Sequence, residues 1–568
     1  MLNDFEAKNI EGEYKSIHIN NVCKKNSVVY EYGIKMHELT KILLSSRDID
    51  SKDAAHNFLF PSLSKMHDPF LLADMDIAVS KIISSVENNK AILVVGDYDA
   101  DGVTATSLLL SFFKEIGADA RFYIPKRSDG YGLGLNAIKV AKDYNIDLII
   151  TVDNGITSID EIEFAKQIGI DVVVTDHHEP QDELPDAYAI VNPKRADSKF
   201  PFRELSGVGV AFNLIMALRY KLRKKGYFKN IGEPNLKQYL DLVALGTLAD
   251  IVPLLDENRI YVKFGLNSPK YRPAIEELKN VAGINSKLNT HHIGFMLAPR
   301  INAAGRLYDA SIAVDMFLED DEDKIREIAL RLNEINKERQ KLQAAIVDDI
   351  EQHIVNNDDL IAVASNTNWH RGVIGVAASS LSHKYSKPVI IISKGQQQAI
   401  GSGRSVEDVN LFDLVQKSSG MLERFGGHKM AVGITIKNKH IESFQKKINE
   451  IAKDEYSSMK HIKKENVDCE VTLDYFNRDL LLELSKLEPY GPANQEPNFI
   501  VKDAAIKDVK MIMGKYPKML IDDGTDRIWM AYFNKNVAID VNRRYTFIFN
   551  AKINNGYDSF TIKDMLLS

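Results

Sequence analysis

Cysteine is nearly absent: the 568 residues include only two, Cys23 and Cys469. So few predict no disulfide framework, and a reducing, cytoplasmic setting is expected. Also missing is any apolar run near the roughly twenty residues of a membrane helix. The amino terminus, Met1 to Glu6, lacks the basic-then-apolar order of a secretory signal, so no membrane partner is expected. Neither charge sign dominates: 72 Lys and Arg face 79 Asp and Glu, a net charge of −7. That balance excludes a uniformly basic nucleic-acid binder and leaves room for a locally positive groove. The remainder, 45% hydrophobic and 27% charged residues, is ordinary for soluble globular domains. The length is too great for one core and predicts three or four domains.

The chemistry concentrates at the ends of apolar runs. Ala91 to Val95 is short and uninterrupted, the pattern of a buried parallel strand, and Val103 to Ile116 then carries apolar residues at helical spacing. Between them lies Gly96-Asp97-Tyr98-Asp99-Ala100-Asp101-Gly102, three carboxylates at a strand-to-helix turn, where open α/β sheets place ligands. Crowded carboxylates repel one another, and a metal ion would hold them together. A calcium loop of the EF-hand type is rejected, because its twelfth position needs Glu and holds Leu108, and because a strand precedes it. Helix capping and turn shaping would account for one or two of the Asp residues.

Two further runs behave alike. Asp147 to Val152 leads into Asp153-Asn154-Gly155, and Asp171 to Thr175 leads into Asp176-His177-His178-Glu179-Pro180. Each follows a helical stretch, which gives a βαβ rhythm and predicts a sheet that gathers these tips at one edge. Asp250 lies in the otherwise apolar stretch Leu242 to Pro253; read alone, it is a cap before the proline.

This set of motifs, with Gly246-Thr247-Leu248-Ala249-Asp250-Ile251-Val252-Pro253 as the fourth, resembles the DHH phosphoesterase superfamily. Gly207 to Ala211, Leu297 to Arg306, Trp369 to Gly375 and Gly426-Gly427-His428 extend the likeness to its RecJ branch. The resemblance implies a single-stranded-DNA-specific 5′→3′ exonuclease that releases 5′-mononucleotides by two-metal phosphodiester hydrolysis, in DNA repair and recombination. It implies Asp97, Asp99, Asp101, Asp153, His177 and Asp250 as metal ligands, with Asp153 bridging two ions. Oxygen ligands with one imidazole suit Mn²⁺ or Mg²⁺. His178 would act on the developing charge or the leaving oxygen. Arg127, Arg306, Ser402, Arg404 and His428 would bind substrate, with Ser402 and Arg404 on a Gly-rich turn that clamps a terminal phosphate. Ser380 stands where many relatives carry Arg. The implied partners are single-stranded DNA and, beyond it, a helicase and a single-strand-binding protein, with the enzyme a monomer.

The expected architecture is α/β. Residues 1–80 read as helical and irregular, and 81–318 as a DHH domain with a parallel sheet. Residues 319–356 read as one connecting helix with an apolar stripe from Ile325 to Ile350 that lapses at Glu338 and Arg339. Residues 357–466 form a second α/β unit, which the resemblance makes a DHHA1-type domain. Residues 467–568 are rich in short strands, with a hairpin turn at Asp522 to Thr525. By the resemblance they form an OB-type barrel, and Ala493 and Gln495 depart from the Gly and Pro usual in its entry loop. The rival readings are a pyrophosphatase or short-oligonucleotide phosphodiesterase of the same superfamily, a scaffold without catalysis, and a DNA-binding adaptor that uses only the barrel.

Overall fold

The computed structural model describes residues 3–10, 14–23, 28–31, 33–130, 132–354, 359–456, 463–534, 539–554 and 556–567. The chain forms two compact units: Met1–Asn302 with Ala310–Ala329 and Lys464–Ser568, and Ala303–Asp309 with Leu330–Lys463. Among the described residues no helix is long and apolar enough to cross a membrane.

The first unit holds a five-stranded parallel sheet in the spatial order Ala120–Tyr123, Ile92–Val95, Leu148–Val152, Asp171–Thr175, Ala189–Val191. Its central strands are buried along nearly their whole length, as expected when helices cover both faces of a parallel sheet. The chain leaves Ile92–Val95 for one neighbour and later returns to pair on its other side. That reversal is a topological switch point, the position at which such sheets open a crevice.

From Glu38 to residue 80 the segment is helical and irregular as expected, but the described residues before it were not expected to form strands. They open with strands Asn3–Lys8, Tyr14–Val22, Val28–Glu31 and Ile34–His37, and helices follow. The first two strands extend the sheet of the carboxyl-terminal barrel, through Lys463–Glu470. Asn3–Lys8 and Tyr14–Val22 pair with each other, as do Val28–Glu31 and Ile34–His37, but the sheet that Tyr14–Val22 joins lies more than 400 residues away. Leu43, Leu44 and Phe58 from this segment share one core with Phe499, Phe547 and Phe549 of the barrel. The barrel itself closes as Phe499–Ile512, Tyr516–Asp522, Arg527–Tyr532, Tyr557–Leu567 and Arg544–Asn554, the last pairing back onto the first. The turn Asp522 to Thr525 stands between its second and third strands as expected.

A second correction concerns sulfur. Cys23 and Cys469 are bonded to each other across a sequence separation of 446. The pairing follows from the same long-range strand association, which brings the Cys23 N–H to the carbonyl of Glu470 at 2.9 Å.

Arg259 ties the parts of this unit together. Its guanidinium is fully buried and donates to the carbonyls of Phe58, Lys486, Leu487, Glu488 and Pro489 at 2.9 to 3.3 Å, with the Phe58 ring 3.9 Å beneath it. Burying such a cation is tolerable only because its donors are so fully used.

The second unit is a mixed sheet in the order Ala362–Asn366, Val389–Lys394, Gln398–Arg404, Ala431–Lys437, Leu422–His428, parallel only in its first pair. The helix Glu322–Ile354 runs from the first unit into the second. Ile325, Leu332, Ile335, Ile346 and Ile350 of its stripe are buried, while Ile328 and Leu342 are half-buried. The expected boundary at 356/357 lies outside the described residues.

Candidate metal centre

Strand register sets the site. Val95 pairs with Thr151, Val152 with Thr175, and Thr175 with Val191. Asp97, Asp153 and Asp176, each one or two residues past a strand end, therefore emerge along one edge. Asp99 caps the helix Ala100–Ile116, one carboxylate oxygen accepting from the N–H groups of Asp101 and Gly102 at 3.0 and 3.1 Å. Asp250 ends the helix Leu240–Ala249 as its C-cap.

Glycine makes room for these carboxylates. A Cβ at Gly207 would lie 2.5 Å from the Asp153 side chain, and one at Gly246 2.7 Å from an Asp101 oxygen. The N–H groups of Gly207 and Val208 donate to Asp101 at 2.6 and 2.9 Å. Asp153 itself sits at φ +62°, a costly conformation for a non-glycine residue that functional sites tend to retain.

The candidate ligands converge. Oxygens of Asp97, Asp99 and Asp153 lie within 4.8 Å of one another, as do ligand atoms of Asp101, His177 and Asp250. The His177 Nε2 is 3.0 Å from Asp153 Oδ1 and 3.6 Å from Asp250 Oδ2. Yet both ring nitrogens of His177, Oδ1 of Asp97 and Oδ2 of Asp250 are buried without a hydrogen-bond partner. Native proteins rarely leave such atoms unmet, and one or two cations in their midst would satisfy Asp97 Oδ1, Asp250 Oδ2 and the His177 Nε2. Without a cation, burial and then the Asp99 carboxylate push Asp97 up to about 8 and Asp101 up to about 7. Burial, reinforced by neighbouring carboxylates, also raises Asp153 and Asp250 well above the ordinary range. Burial, with His178 nearby, lowers His177 to about 3 and keeps its imidazole neutral, the form that binds metal. The donor set fits divalent metal.

His178 differs from its neighbour. Its Nδ1 is 2.7 Å from Asp176 Oδ1, and although burial opposes its charge, that bond raises its pKa. Asp176 is itself fully buried and accepts from the N–H groups of Ile156, His177 and His178 at 2.7 to 3.1 Å. The sequence reading assigned no role to Asp176, although it opens the Asp-His-His motif. Nor did it find Asn302, whose Oδ1 accepts from the Ala100 N–H at 2.7 Å and braces the first acidic turn. Only its place in the Leu297 to Arg306 motif hinted at it.

The expected substrate residues fall in both units. Arg127, in the first, is exposed and lies over the Tyr98 ring at 5.0 Å. Arg306, Ser402, Arg404 and His428 lie in the second. Arg306 donates to the Gly372 carbonyl at 3.5 Å, and the exposed His428 accepts from the Met430 N–H at 3.3 Å. Arg404 donates to Ser402 Oγ at 3.2 Å and to the Gly403 carbonyl at 2.8 Å. The Gly-rich turn expected there is instead part of the continuous strand Gln398–Arg404. Its glycines are packing notches: a Cβ on Gly401 would meet Ile434, and one on Gly403 would meet Val432, each at 2.6 Å.

Three family models match: the DHH family N-terminal domain over residues 91–247, the DHHA1 domain over 358–454 and the RecJ OB domain over 467–563. The single-stranded-DNA-specific exonuclease RecJ of Bacillus subtilis is 36% identical over 507 residues, 88% of this chain and 63% of that protein. The chain thus spans under two thirds of that relative's length. RecJ of Haemophilus influenzae is 34% identical over 84% of this chain and 85% of its own. Among solved structures, RecJ of Thermus thermophilus in complex with Mn²⁺ has a TM-score of 0.78 at 25% identity, over 96% of this chain and 79% of that one. An exonuclease RecJ bound to manganese has a TM-score of 0.58 at 31% identity, over 67% and 94%. With identity above a third sustained along most of both chains, and a fold match nearly end to end, the chain belongs to the RecJ family of the DHH phosphoesterases.

Proposed function

We propose that this chain is a single-strand-specific DNA exonuclease that works from the 5′ end, releases 5′-mononucleotides and serves repair and recombination in the cytoplasm. The observation that carries the reading is the convergence of buried carboxylates with His177, among which Asp97 Oδ1, Asp250 Oδ2 and the His177 ring nitrogens have no hydrogen-bond partner. Asp97, Asp99, Asp101, Asp153, His177 and Asp250 would hold two ions, Mn²⁺ or Mg²⁺ as in the solved RecJ structures, with Asp153 shared. When bound, the metal would supply a water acidic enough to lose its proton near neutral pH.

The other residues position and stabilise. Asp176 favours the protonated form of His178, in which its Nε2–H would donate to charge developing on the leaving oxygen. Arg127 and Arg404 fork onto phosphate oxygens, with Arg306, Ser402 and His428 as further contacts. Residues 81–318 would act as the DHH domain, 319–356 as the connecting helix, 357–466 as the DHHA1-type domain and 467–568 as the strand-holding barrel. The enzyme would act as a monomer and receive strands from a helicase or a single-strand-binding protein.

One assay tests the reading: a 5′-labelled single strand, a blunt duplex, a dinucleotide and pyrophosphate, each with Mn²⁺. The expected result is turnover of the single strand to mononucleotides and none of the blunt duplex. Equal rates on duplex and single strand would overturn strand specificity, and turnover of pyrophosphate alone would make the protein a pyrophosphatase.

A further inference from the structure

The sheet of the second unit has an open edge. Ala362–Asn366 pairs with Val389–Lys394 on one side, and among the described residues no strand pairs on the other. The Ala362 N–H donates to the Pro388 carbonyl at 2.9 Å. In a parallel ladder Ala362, Ala364 and Asn366 therefore address the neighbouring strand, while Ile361, Val363 and Ser365 turn their N–H and C=O groups outward. The outward groups of Ile361 are taken: its N–H donates to Asn449 Oδ1 at 2.9 Å, and its carbonyl accepts from Asn449 Nδ2 at 3.0 Å. One side-chain amide thus stands where the peptide group of a further strand would stand. Among the described residues nothing similar covers Val363 or Ser365. Edge strands are commonly blunted by proline, lysine or an inward charge, and Ala362-Val363-Ala364-Ser365-Asn366 carries none of these.

A cavity of about 370 Å³ follows this edge, and all five residues of the strand line it. Its walls come from both faces of the sheet. Ile350, on the helix Glu322–Ile354, shares one core with Ala362. Ile441, on the helix Ile441–Tyr456, shares another with Ile361, and Val363 packs against it. A cavity that meets both cores and every residue of one strand is a slot along the strand's edge, not a hollow on either face. Two acids and one lysine line it, Asp349, Asp359 and Lys387, so its wall is net negative. Asp359 and Lys387 stand together at the Ala362 end, beside Pro388. At the Asn366 end Asp349 Oδ2 accepts from Asn366 Nδ2 at 3.0 Å and from the Trp369 indole N–H at 3.1 Å. These neutral donors orient the carboxylate without cancelling its charge.

We propose that this slot docks an extended segment of a partner protein, which adds as a further strand beside Ala362–Asn366. Main-chain bonds to Val363 and Ser365 supply affinity, as in other edge-strand recognition. An apolar side chain of the segment fills the slot against Ile350 and Ile441, and a Lys or Arg at the Asn366 end meets Asp349 and the Trp369 ring. The acidic wall disfavours a nucleic-acid strand in the same place. Every lining residue belongs to the second unit, whereas the candidate metal ligands belong to the first. The slot is therefore a tether for a partner, distinct from the reaction centre.

The test selects random short peptides, displayed on phage, against the full-length protein, and then measures one selected sequence as a free labelled peptide by fluorescence anisotropy. Selected sequences should alternate apolar and polar residues and carry Lys or Arg at one end, and the bound peptide should slow amide exchange at residues 362–366. Replacing its basic residue by Glu should weaken binding about two- to thirtyfold, through a lost ion pair and a new repulsion. Ser365→Pro removes one outward N–H and keeps the ladder to Val389–Lys394, so binding should weaken about ten- to a hundredfold, while Ser365→Ala binds as the wild type does. Asp349→Asn keeps an acceptor for Asn366 and Trp369 and should erase the preference for the basic peptide. Failure to select any peptide overturns the proposal, as does equal binding of the basic and Glu forms or exchange slowed only elsewhere. Those three results decide it even if Ser365→Pro fails to fold; with a folded Ser365→Pro protein, undiminished binding also overturns it. A wild-type dimer that Ser365→Pro dissociates would overturn it in favour of a second copy of this chain in the slot.

Discussion

At the carboxyl edge of the parallel sheet, Asp97, His177 and Asp250 carry buried atoms that no protein group satisfies. On the strand Gln398–Arg404 of the second unit, by contrast, Arg404 already donates to Ser402 and to the main chain. The first arrangement stores mutual repulsion and missing bonds, so a cation entering it gains at every contact. The second is self-satisfied, and a phosphate must exchange existing hydrogen bonds for its own. The proposed ion site and the proposed phosphate site thus differ in what each lacks before anything binds.

The sharpest way to break this comparison is Asp153→Ala. Hydrolysis with Mn²⁺ should fall below detection, while circular dichroism and thermal melting report an intact fold, since a carboxylate crowded by other carboxylates has been removed. Near-normal turnover would show that the cluster is not the reaction centre.

Arg404→Ala should act more mildly. A charged hydrogen bond is worth about 1.5–3 kcal/mol, so use of 5′-phosphorylated ends should weaken roughly ten- to a hundredfold and the advantage over 5′-hydroxyl ends should shrink. An equal loss on both ends would detach Arg404 from the terminal phosphate.

Stability against pH probes the repulsion directly. Asp97 and Asp101 rise from 3.8 to about 8 and about 7 in the metal-free protein. The folded state therefore holds protons that the unfolded chain has released, and stability present below about pH 4 is lost as pH rises toward 8. Melting temperature of chelator-treated protein should fall over that window, and added Mn²⁺ should restore more at pH 8 than at pH 5. A flat profile would mean that the carboxylates are not coupled as their packing requires.

The smallest effect separates packing from phosphate binding in the second unit. Gly403→Ala should cost about 1–3 kcal/mol through its collision with Val432. Gly426→Ala, with nothing within 4 Å of the new Cβ, should change stability by less than about 0.5 kcal/mol. Equal losses in urea unfolding would overturn the packing explanation.

Much of the parallel sheet and its acidic tips was legible in the sequence, because buried parallel strands are short apolar runs and their ligands follow directly. Asp250 was harder, since a helix C-cap before a proline looks the same with or without a metal beside it. The segment from Ala399 read as a strand opening into a turn, because glycine, serine and arginine at its end lack the apolar alternation of a strand. Only the side chains of Ile434 and Val432 explain why glycine is needed there. The sulfur bridge and the docking of Tyr14–Val22 onto the barrel sheet were invisible because their partners lie at the other end of the chain. The shared core of Leu43, Phe58 and Phe547 also means that deleting residues after 466 would strip the amino-terminal segment of its packing.

The bridge between Cys23 and Cys469 has a topological consequence. With it closed, the backbone between those residues is a covalent ring, so a single protease cut anywhere inside it releases nothing. The nicked protein should migrate as one molecule on a non-reducing gel and as two fragments after reduction. In connectivity it would be a permuted chain, its two original arms fastened through sulfur and its new ends at the cut.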